Sequence, residues 1–159
     1  MPAARPAVVR IYLNTSALNR PFDDLSSERV RLEADQVAAV LGAIDAGRAE
    51  LVGSEYLDFE IDQTPDRERG RRVRSLLRGM RVHVRVSPGV VVRARALESA
   101  GFRGLDALHI AAAEAGGAEI LVTTDDRMLR RAARARPPLG VRVMPPAEAI
   151  RVLSKEQDE

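Results

Sequence analysis

Hydrophobic and polar positions follow two periods along this chain, and the two periods predict strands and helices in turn. Short runs of apolar, β-branched residues indicate buried strands, whereas apolar residues three or four positions apart indicate helices with one buried face. The predicted strands are residues 8–13, 51–52, 82–86, 120–122 and 141–143. The predicted helices are residues 28–46, 55–64, 66–79, 88–99, 104–115, 126–134 and 147–153, with a turn at 21–24. Strands that alternate with helices predict an α/β fold, in which helices cover both faces of a parallel sheet.

The length and composition of the chain predict one globular domain. Its 159 residues are enough for a single buried core, and 45% hydrophobic with 30% charged residues is an ordinary balance. We predict a domain at residues 7–153 and a polar, frayed tail at 154–159. No apolar run reaches the roughly 18 residues that a membrane span needs. The chain has no cysteine, which excludes disulfides and thiolate metal sites, so the expected location is the cytoplasm.

Positive charge is concentrated in two arginine clusters, although the formal net charge is only +2. The first cluster is Arg67, Arg69, Arg71, Arg72, Arg74, Arg78, Arg81 and Arg85. The second is Arg127, Arg130, Arg131, Arg134 and Arg136. Each can be a solvated helix face or a surface that binds phosphates, and the sequence leaves both alternatives open.

Four side chains suited to metal binding are predicted to meet at one edge of the sheet. Asn14 and Asp125 directly follow strands, Asp106 lies in the first turn of a helix, and Glu60 lies within another. Right-handed crossovers bring the carboxyl ends of parallel strands to the same edge, where ligands bind. Carboxylates gathered in one cleft repel one another and need a cation, and their hard oxygen atoms select Mg²⁺ or Mn²⁺.

Taken singly, each of these residues also has a purely structural explanation. Asp125 could cap the following helix, Asp106 could interact with a helix dipole, and Asn14 could form an Asx turn. His109, one turn after Asp106, is expected to be a hydrogen-bond partner or a core residue rather than a ligand. The candidates for contact with substrate are Arg20, Thr123, Thr124 and Arg127. For Arg20 a local salt bridge with Asp23 is the plainer alternative.

In order along the chain, these segments resemble the PIN-domain nucleases, and within them the VapC-like toxins of type II toxin–antitoxin systems. The similarity extends from Val8 to about Leu153. The segments that carry it are IYLNTSALNRPFDD at 11–24, SEYLDFE at 54–60, GFRGLDALHIAAAE at 101–114 and TTDDR at 123–127.

The resemblance implies a three-layer α/β/α sandwich and a Mg²⁺- or Mn²⁺-dependent endoribonuclease. It assigns the catalytic and metal-binding positions to Asn14, Glu60, Asp106 and Asp125. The family pattern has aspartate where this chain has Asn14. An amide oxygen can coordinate Mg²⁺ but adds no charge and is no useful proton acceptor. The change is consistent with a weak enzyme, a natural pseudo-nuclease, or an Asp→Asn substitution engineered to silence a toxic protein.

Three functions therefore remain open on the sequence. The chain can be a ribonuclease that cuts RNA with metal-activated water, or an inactive module that binds RNA or protein. It can also be a toxin-like partner whose cleft receives an antitoxin peptide, and the resemblance further suggests a homodimer, which could use the 28–46 helix.

Overall fold

Five parallel strands form the centre of the molecule. The structure, a computed structural model, describes residues 8–158, with side chains described as far as residue 155. The strands are β1 (Val9–Leu13), β2 (Ala49–Ser54), β3 (Val82–Val84), β4 (Ile120–Val122) and β5 (Arg142–Met144). They lie in the order β3-β2-β1-β4-β5, and all four neighbouring pairs are parallel.

Eight α-helices connect and cover these strands within the described residues. They are α1 (Thr15–Asn19), α2 (Glu28–Asp45), α3 (Glu55–Asp62), α4 (Arg67–Ser75), α5 (Pro88–Ser99), α6 (Gly104–Ala115), α7 (Asp126–Ala133) and α8 (Pro146–Asp158), with a short 3-10 helix at Arg20–Phe22. No helix among residues 8–158 is long and apolar enough to cross a membrane.

The direction of the crossovers explains why helices cover both faces. The chain moves one way across the sheet from β1 through β2 to β3, then returns past them to β4 and continues to β5. Right-handed connections that run in opposite directions lie on opposite faces. Accordingly α2 packs on α8, whereas α5 packs on α6. The predicted three-layer α/β/α sandwich is confirmed, with a sheet that is entirely parallel.

The core explains the apolar runs of the strands. Ile11, Tyr12 and Leu13 of β1 are completely buried, because both faces of the central strand are covered. Helix α6 comes so close to the sheet that a Cβ on Gly116 would lie 2.6 Å from Val52 and 2.8 Å from Val84. Glycine at this position therefore permits the close approach of the helix end to β2 and β3.

Several element boundaries differ from the prediction. Strand β2 is longer than residues 51–52, and β3 ends at Val84 rather than at residue 86. Helix α4 ends at Ser75 instead of residue 79, because Leu76 and Leu77 make tighter bonds to carbonyls three residues back. Helix α8 extends into the predicted polar tail as far as Asp158. The predicted domain start at residue 7 and the last residue of the tail, 159, lie outside the described residues.

Candidate metal-dependent nuclease site

Asn14 lies where the order of the sheet reverses, between the ends of β1 and β4. Its backbone N–H donates to the Val122 carbonyl at 2.9 Å, which extends the pairing of the two strands. Its Oδ1 accepts from the Ser16 N–H at 3.2 Å and caps α1, and its Nδ2 lies 3.2 Å from the Met128 sulfur. Ligands of parallel sheets bind at such reversal points. Asn14 is thus at the predicted edge, with both amide atoms already in contact with protein.

Asp125 comes shortly after β4, the strand next to β1, and is the N-cap residue of α7. Its Oδ1 accepts from the backbone N–H groups of Arg127 at 2.9 Å and Met128 at 3.4 Å. Met128 therefore links the two positions, because its backbone contacts Asp125 and its sulfur contacts Asn14. The capping role considered from the sequence is real, and it fixes the carboxylate beside Asn14.

Glu60 is held by a chain of buried hydrogen bonds that begins in the sheet. The Tyr12 hydroxyl lies 2.7 Å from both the Ser54 hydroxyl and His109 Nδ1, and His109 Nε2 lies 3.4 Å from Glu60 Oε2. In a neutral imidazole that donates from Nε2 to the Glu60 carboxylate, Nδ1 accepts from the Tyr12 hydroxyl. Burial raises the pKa of Tyr12 and keeps it a neutral donor.

The charge on Glu60 is supported by its neighbours. Burial raises the pKa of the Glu60 carboxyl, but the His109 hydrogen bond, the Thr15 hydroxyl and the attraction of the imidazole together lower it below its usual value. Thr15 Oγ1 is buried and lies close enough to Glu60 to lower its pKa, but it makes no well-aligned hydrogen bond within the described residues. Glu60 is therefore an anion oriented in advance.

Asp106, in the first turn of α6, has the opposite environment. Burial is the largest cause that raises the pKa of its carboxyl, followed by repulsion from Asp125 and, more weakly, from Glu60. The attraction of His109 and Arg103 offsets only part of this. The three predicted acids thus act on one another through space, and Asp106 is the one that their shared negative charge destabilises.

The residue types and charges at this edge fit a hard divalent cation. Three carboxylates and an amide are the oxygen ligands that Mg²⁺ and Mn²⁺ prefer, and a cation would relieve the repulsion that raises the pKa of Asp106. As the side chains stand, no three His, Cys, Asp or Glu residues between 8 and 158 converge closely enough to enclose an ion. Binding would therefore require side-chain rotation toward the metal.

Three of the four predicted substrate contacts make bonds to other protein groups, Thr124 through its backbone. Thr123 Oγ1 lies 3.1 Å from the Ser16 hydroxyl and accepts from the Asp125 N–H. The Thr124 N–H donates to Ser16 Oγ at 3.1 Å. These bonds tie β4 to α1. Arg20 forms ion pairs with Asp23 at 3.1 Å and Glu33 at 3.3 Å, which is the salt-bridge alternative considered from the sequence.

The two arginine clusters have different surroundings. In the first, Arg69 pairs with Asp23, Arg71 and Arg72 pair with Glu68, and Arg74 pairs with Asp62. In the second, Arg127, Arg130, Arg131 and Arg134 line a cleft of about 300 Å³ that also includes Asp106, whereas Arg136 lies outside it. The walls of the cleft are Gly101, Phe102, Arg103, Asp106, Arg127, Met128, Arg130, Arg131 and Arg134. Arg127, a predicted substrate contact, is therefore on the rim of the acidic site.

Sequence reasoning expected Ser54 to cap α3, as it does, but missed its bond to Tyr12 and the roles of Tyr12 and Ser16. A tyrosine in an otherwise aliphatic buried strand was an available signal, because a buried hydroxyl needs a partner. The identity of that partner was not, since His109 is 97 positions away along the chain. Ser16 offered no signal beyond its place in a helix start.

Comparison with known families identifies the class of protein. The PIN domain family model matches residues 11–135, most of the chain, and this protein belongs to that family. PIN domains are typically metal-dependent nucleases and generally use Mg²⁺. The family thus agrees with the acidic edge that the sheet and helices build.

Two solved structures have a similar fold. The crystal structure of VapBC2 from Rickettsia felis, bound to a DNA fragment from their promoter, has a TM-score of 0.57 and 15% identity, covering 85% of this chain and 97% of that one. PAE2754 from Pyrobaculum aerophilum has a TM-score of 0.53 and 16% identity, covering 92% and 90%. No curated protein matches the chain. At these identities the two structures support the fold alone.

Proposed function

We propose that this protein is a Mg²⁺- or Mn²⁺-dependent endoribonuclease of the VapC-like kind, which hydrolyses RNA phosphodiester bonds with activity lowered by Asn14. The observation that carries the proposal is the grouping of oxygen ligands near the reversal point of the sheet, where Asn14 and Asp125 both contact Met128 and Asp106 lines the adjoining cleft. Burial, followed by repulsion from Asp125 and Glu60, raises the pKa of Asp106 there. Maintaining such repulsion has a stability cost, and a catalytic cation explains why it is present.

Each residue of the site has a distinct role in this proposal. Glu60, Asp106 and Asp125 hold the ion directly or through water, and Asn14 offers the second lone pair of its amide oxygen. When bound, the ion lowers the pKa of coordinated water and stabilises charge on the phosphate. His109 orients Glu60 and keeps it ionised, and the cap on α7 fixes Asp125.

A second candidate function is a module that binds RNA or protein without turnover. The engagement of both Asn14 amide atoms, with Ser16 and Met128, favours it, because this arrangement satisfies the residue without metal. Calorimetric titration with Mn²⁺ discriminates between the two. Binding that Asp106→Asn abolishes supports the enzyme, whereas no heat at millimolar metal supports the module.

The proposed partners are RNA, a cognate antitoxin and a second copy of the chain, in the cytoplasm. An acidic site beside an arginine-lined cleft suits an antitoxin segment that presents both signs of charge. Co-purification of a small protein encoded next to this one supports the antitoxin. Light scattering that gives a monomer counts against the homodimer.

Asn14→Asp provides the decisive test of the enzyme. The restored carboxylate adds a full charge about 2 Å from the ion, so we expect faster cleavage of single-stranded RNA with Mn²⁺ than in the parent. In EDTA the same variant should melt at a lower temperature than the parent, because a fourth negative charge joins the cluster. Adding Mn²⁺ should reverse that order. RNA left intact by both proteins, with no response of Asn14→Asp to metal, would overturn the proposal.

A further inference from the structure

Five arginines without acidic partners surround the cleft beside Asp106. They are Arg103, Arg127, Arg130, Arg131 and Arg134. All five are exposed. Across residues 8–158, none of them forms a side-chain hydrogen bond or an ion pair within 4.0 Å, although Arg103 and Arg130 act at longer range on Asp106 and Asp126. Four arginines of the first cluster differ from these five, because Arg69, Arg71, Arg72 and Arg74 form ion pairs with neighbouring acids.

Four of these arginines form a stripe along α7. Positions 127, 130, 131 and 134 are three, four and seven residues apart and so share one face of the helix. The stripe is about 10 Å long at roughly 1.5 Å per residue. Met128, between them in the sequence, is buried. The stripe can therefore face several charges of an extended anion at once.

Helix stability does not account for this arrangement. Arg130 and Arg131 lie in the last turn of α7, where a cation is favourable, but Arg127 lies in its first turn and Arg103 caps the beginning of α6. A cation at the amino end of a helix is disfavoured by the helix dipole. A bound anion between Arg103 and Arg127 would make both positions favourable.

Arg131 also packs against the loop opposite. A Cβ on Gly101 would lie 2.9 Å from Cζ and Nη1 of Arg131, so the guanidinium packs against bare glycine backbone. Gly101 has a φ of +105°, which a side chain at this position would strain. The absence of a side chain at Gly101 therefore leaves the space in which the Arg131 guanidinium lies.

We propose that this cleft binds backbone phosphates of single-stranded RNA next to the scissile bond. The inference rests on the proposed function, because the cleft and the acidic centre share Asp106 as a common wall. A strand whose phosphate lies at the acidic centre would place its neighbouring phosphates along the arginine stripe. The regular charges of a nucleic acid match a row of cations better than the irregular charges of an acidic protein surface.

Equilibrium binding in EDTA tests the proposal without any hydrolysis. The probe is a fluorescent 20-nucleotide single-stranded RNA of mixed sequence, followed by anisotropy at several salt concentrations. We expect Arg127→Gln/Arg131→Gln to weaken binding about tenfold. It should also reduce the slope of log K against log salt by about 1.4, since each lost phosphate contact on a single strand contributes about 0.7. The matched control, Arg71→Gln/Arg72→Gln, removes the same charge from the first cluster, where both arginines pair with Glu68, and should change affinity less than twofold.

Equal losses in the two double variants, or no loss in the cleft variant, would overturn the proposal. Binding of a 20-residue poly-glutamate as tight as that of RNA, with the same loss in the cleft variant, would also overturn it, in favour of an acidic protein ligand. If the double variant does not fold, the single changes Arg127→Gln and Arg134→Gln should each reduce the slope by about 0.7. Because no metal is present, these outcomes do not depend on whether the protein cleaves RNA.

Discussion

Glu60 and Asp106 belong to one acidic site, yet the protein supports the two carboxylates in opposite ways. Glu60 receives a hydrogen bond from His109, and its pKa is lowered although burial acts against its charge. The Asp106 carboxylate accepts no hydrogen bond from the described residues, and its burial together with two nearby acids raises its pKa. One side of the site is thus organised by protein donors, whereas on the other side His109 and Arg103 offset only part of the effect of burial and repulsion.

This difference suggests how the work of a metal site is divided. Outer donors fix the orientation of a ligand before the metal arrives, which reduces the ordering that binding requires. Uncompensated charge supplies the attraction, because the ion relieves repulsion that already exists. On this interpretation, changes on the Glu60 side alter geometry, and changes on the Asp106 side alter electrostatic attraction.

The largest expected effect is on metal affinity, through His109. His109→Leu removes the donor to Glu60 while it keeps a buried side chain, and we expect Mn²⁺ affinity to fall by about 10- to 100-fold, the usual cost of losing an outer-shell partner. Calorimetric titration measures it. The matched control is His83→Leu, which removes a partly exposed histidine that pairs with Asp58 at 2.8 Å. Similar losses in the two variants would mean that His109 does not position the site.

A smaller effect is expected on the stability of the metal-free protein. Glu60→Gln removes the negative charge that accepts the hydrogen bond from His109 at 3.4 Å. We therefore expect the free energy of unfolding to fall by about 1 kcal/mol. Asp106→Asn removes a repelled charge and should leave the free energy of unfolding unchanged or increase it. Urea unfolding in EDTA compares the two variants with the parent. If both variants lose stability equally, the contrast between the two carboxylates is wrong.

The smallest effect is the pH dependence, and its sign differs between the two acids. The penalty from Asp106 is absent below its ordinary pKa of 3.8 and develops as the pH rises through its higher folded-state pKa. The contribution of Glu60 is present above its ordinary pKa of 4.5 and is lost as the pH falls through its lower folded-state pKa. Differences in unfolding free energy between each variant and the parent, followed against pH in EDTA, measure both trends. If the two variants show the same trend with pH, the opposite pKa shifts of Asp106 and Glu60 are wrong.

The periodic pattern alone was enough to predict the elements and much of the site. Strand ends are readable from sequence, and parallel strands bring their carboxyl ends to one edge, so Asn14 and Asp125 could be placed together before the fold was known. Glu60 and Asp106 could be assigned to helices that can reach the same edge, and the resemblance assigned them roles as metal ligands. Boundaries were less certain, because the end of a helix such as α4 depends on a few backbone bonds rather than on periodicity.

The sequence by itself determined the fold class, the edge of the sheet that carries the site, and the four residues proposed for it. Only the tertiary structure decided which of these side chains accept hydrogen bonds and which arginines lack an acidic partner among the described residues. The link from Tyr12 through His109 to Glu60 joins three elements that no local pattern relates. The two arginine clusters look alike in sequence, and they differ because folding places acids such as Asp23 and Asp62 beside one cluster and a cleft beside the other. Local periodicity encodes backbone conformation, whereas the state of a charge depends on neighbours that only the folded chain brings within a few ångströms.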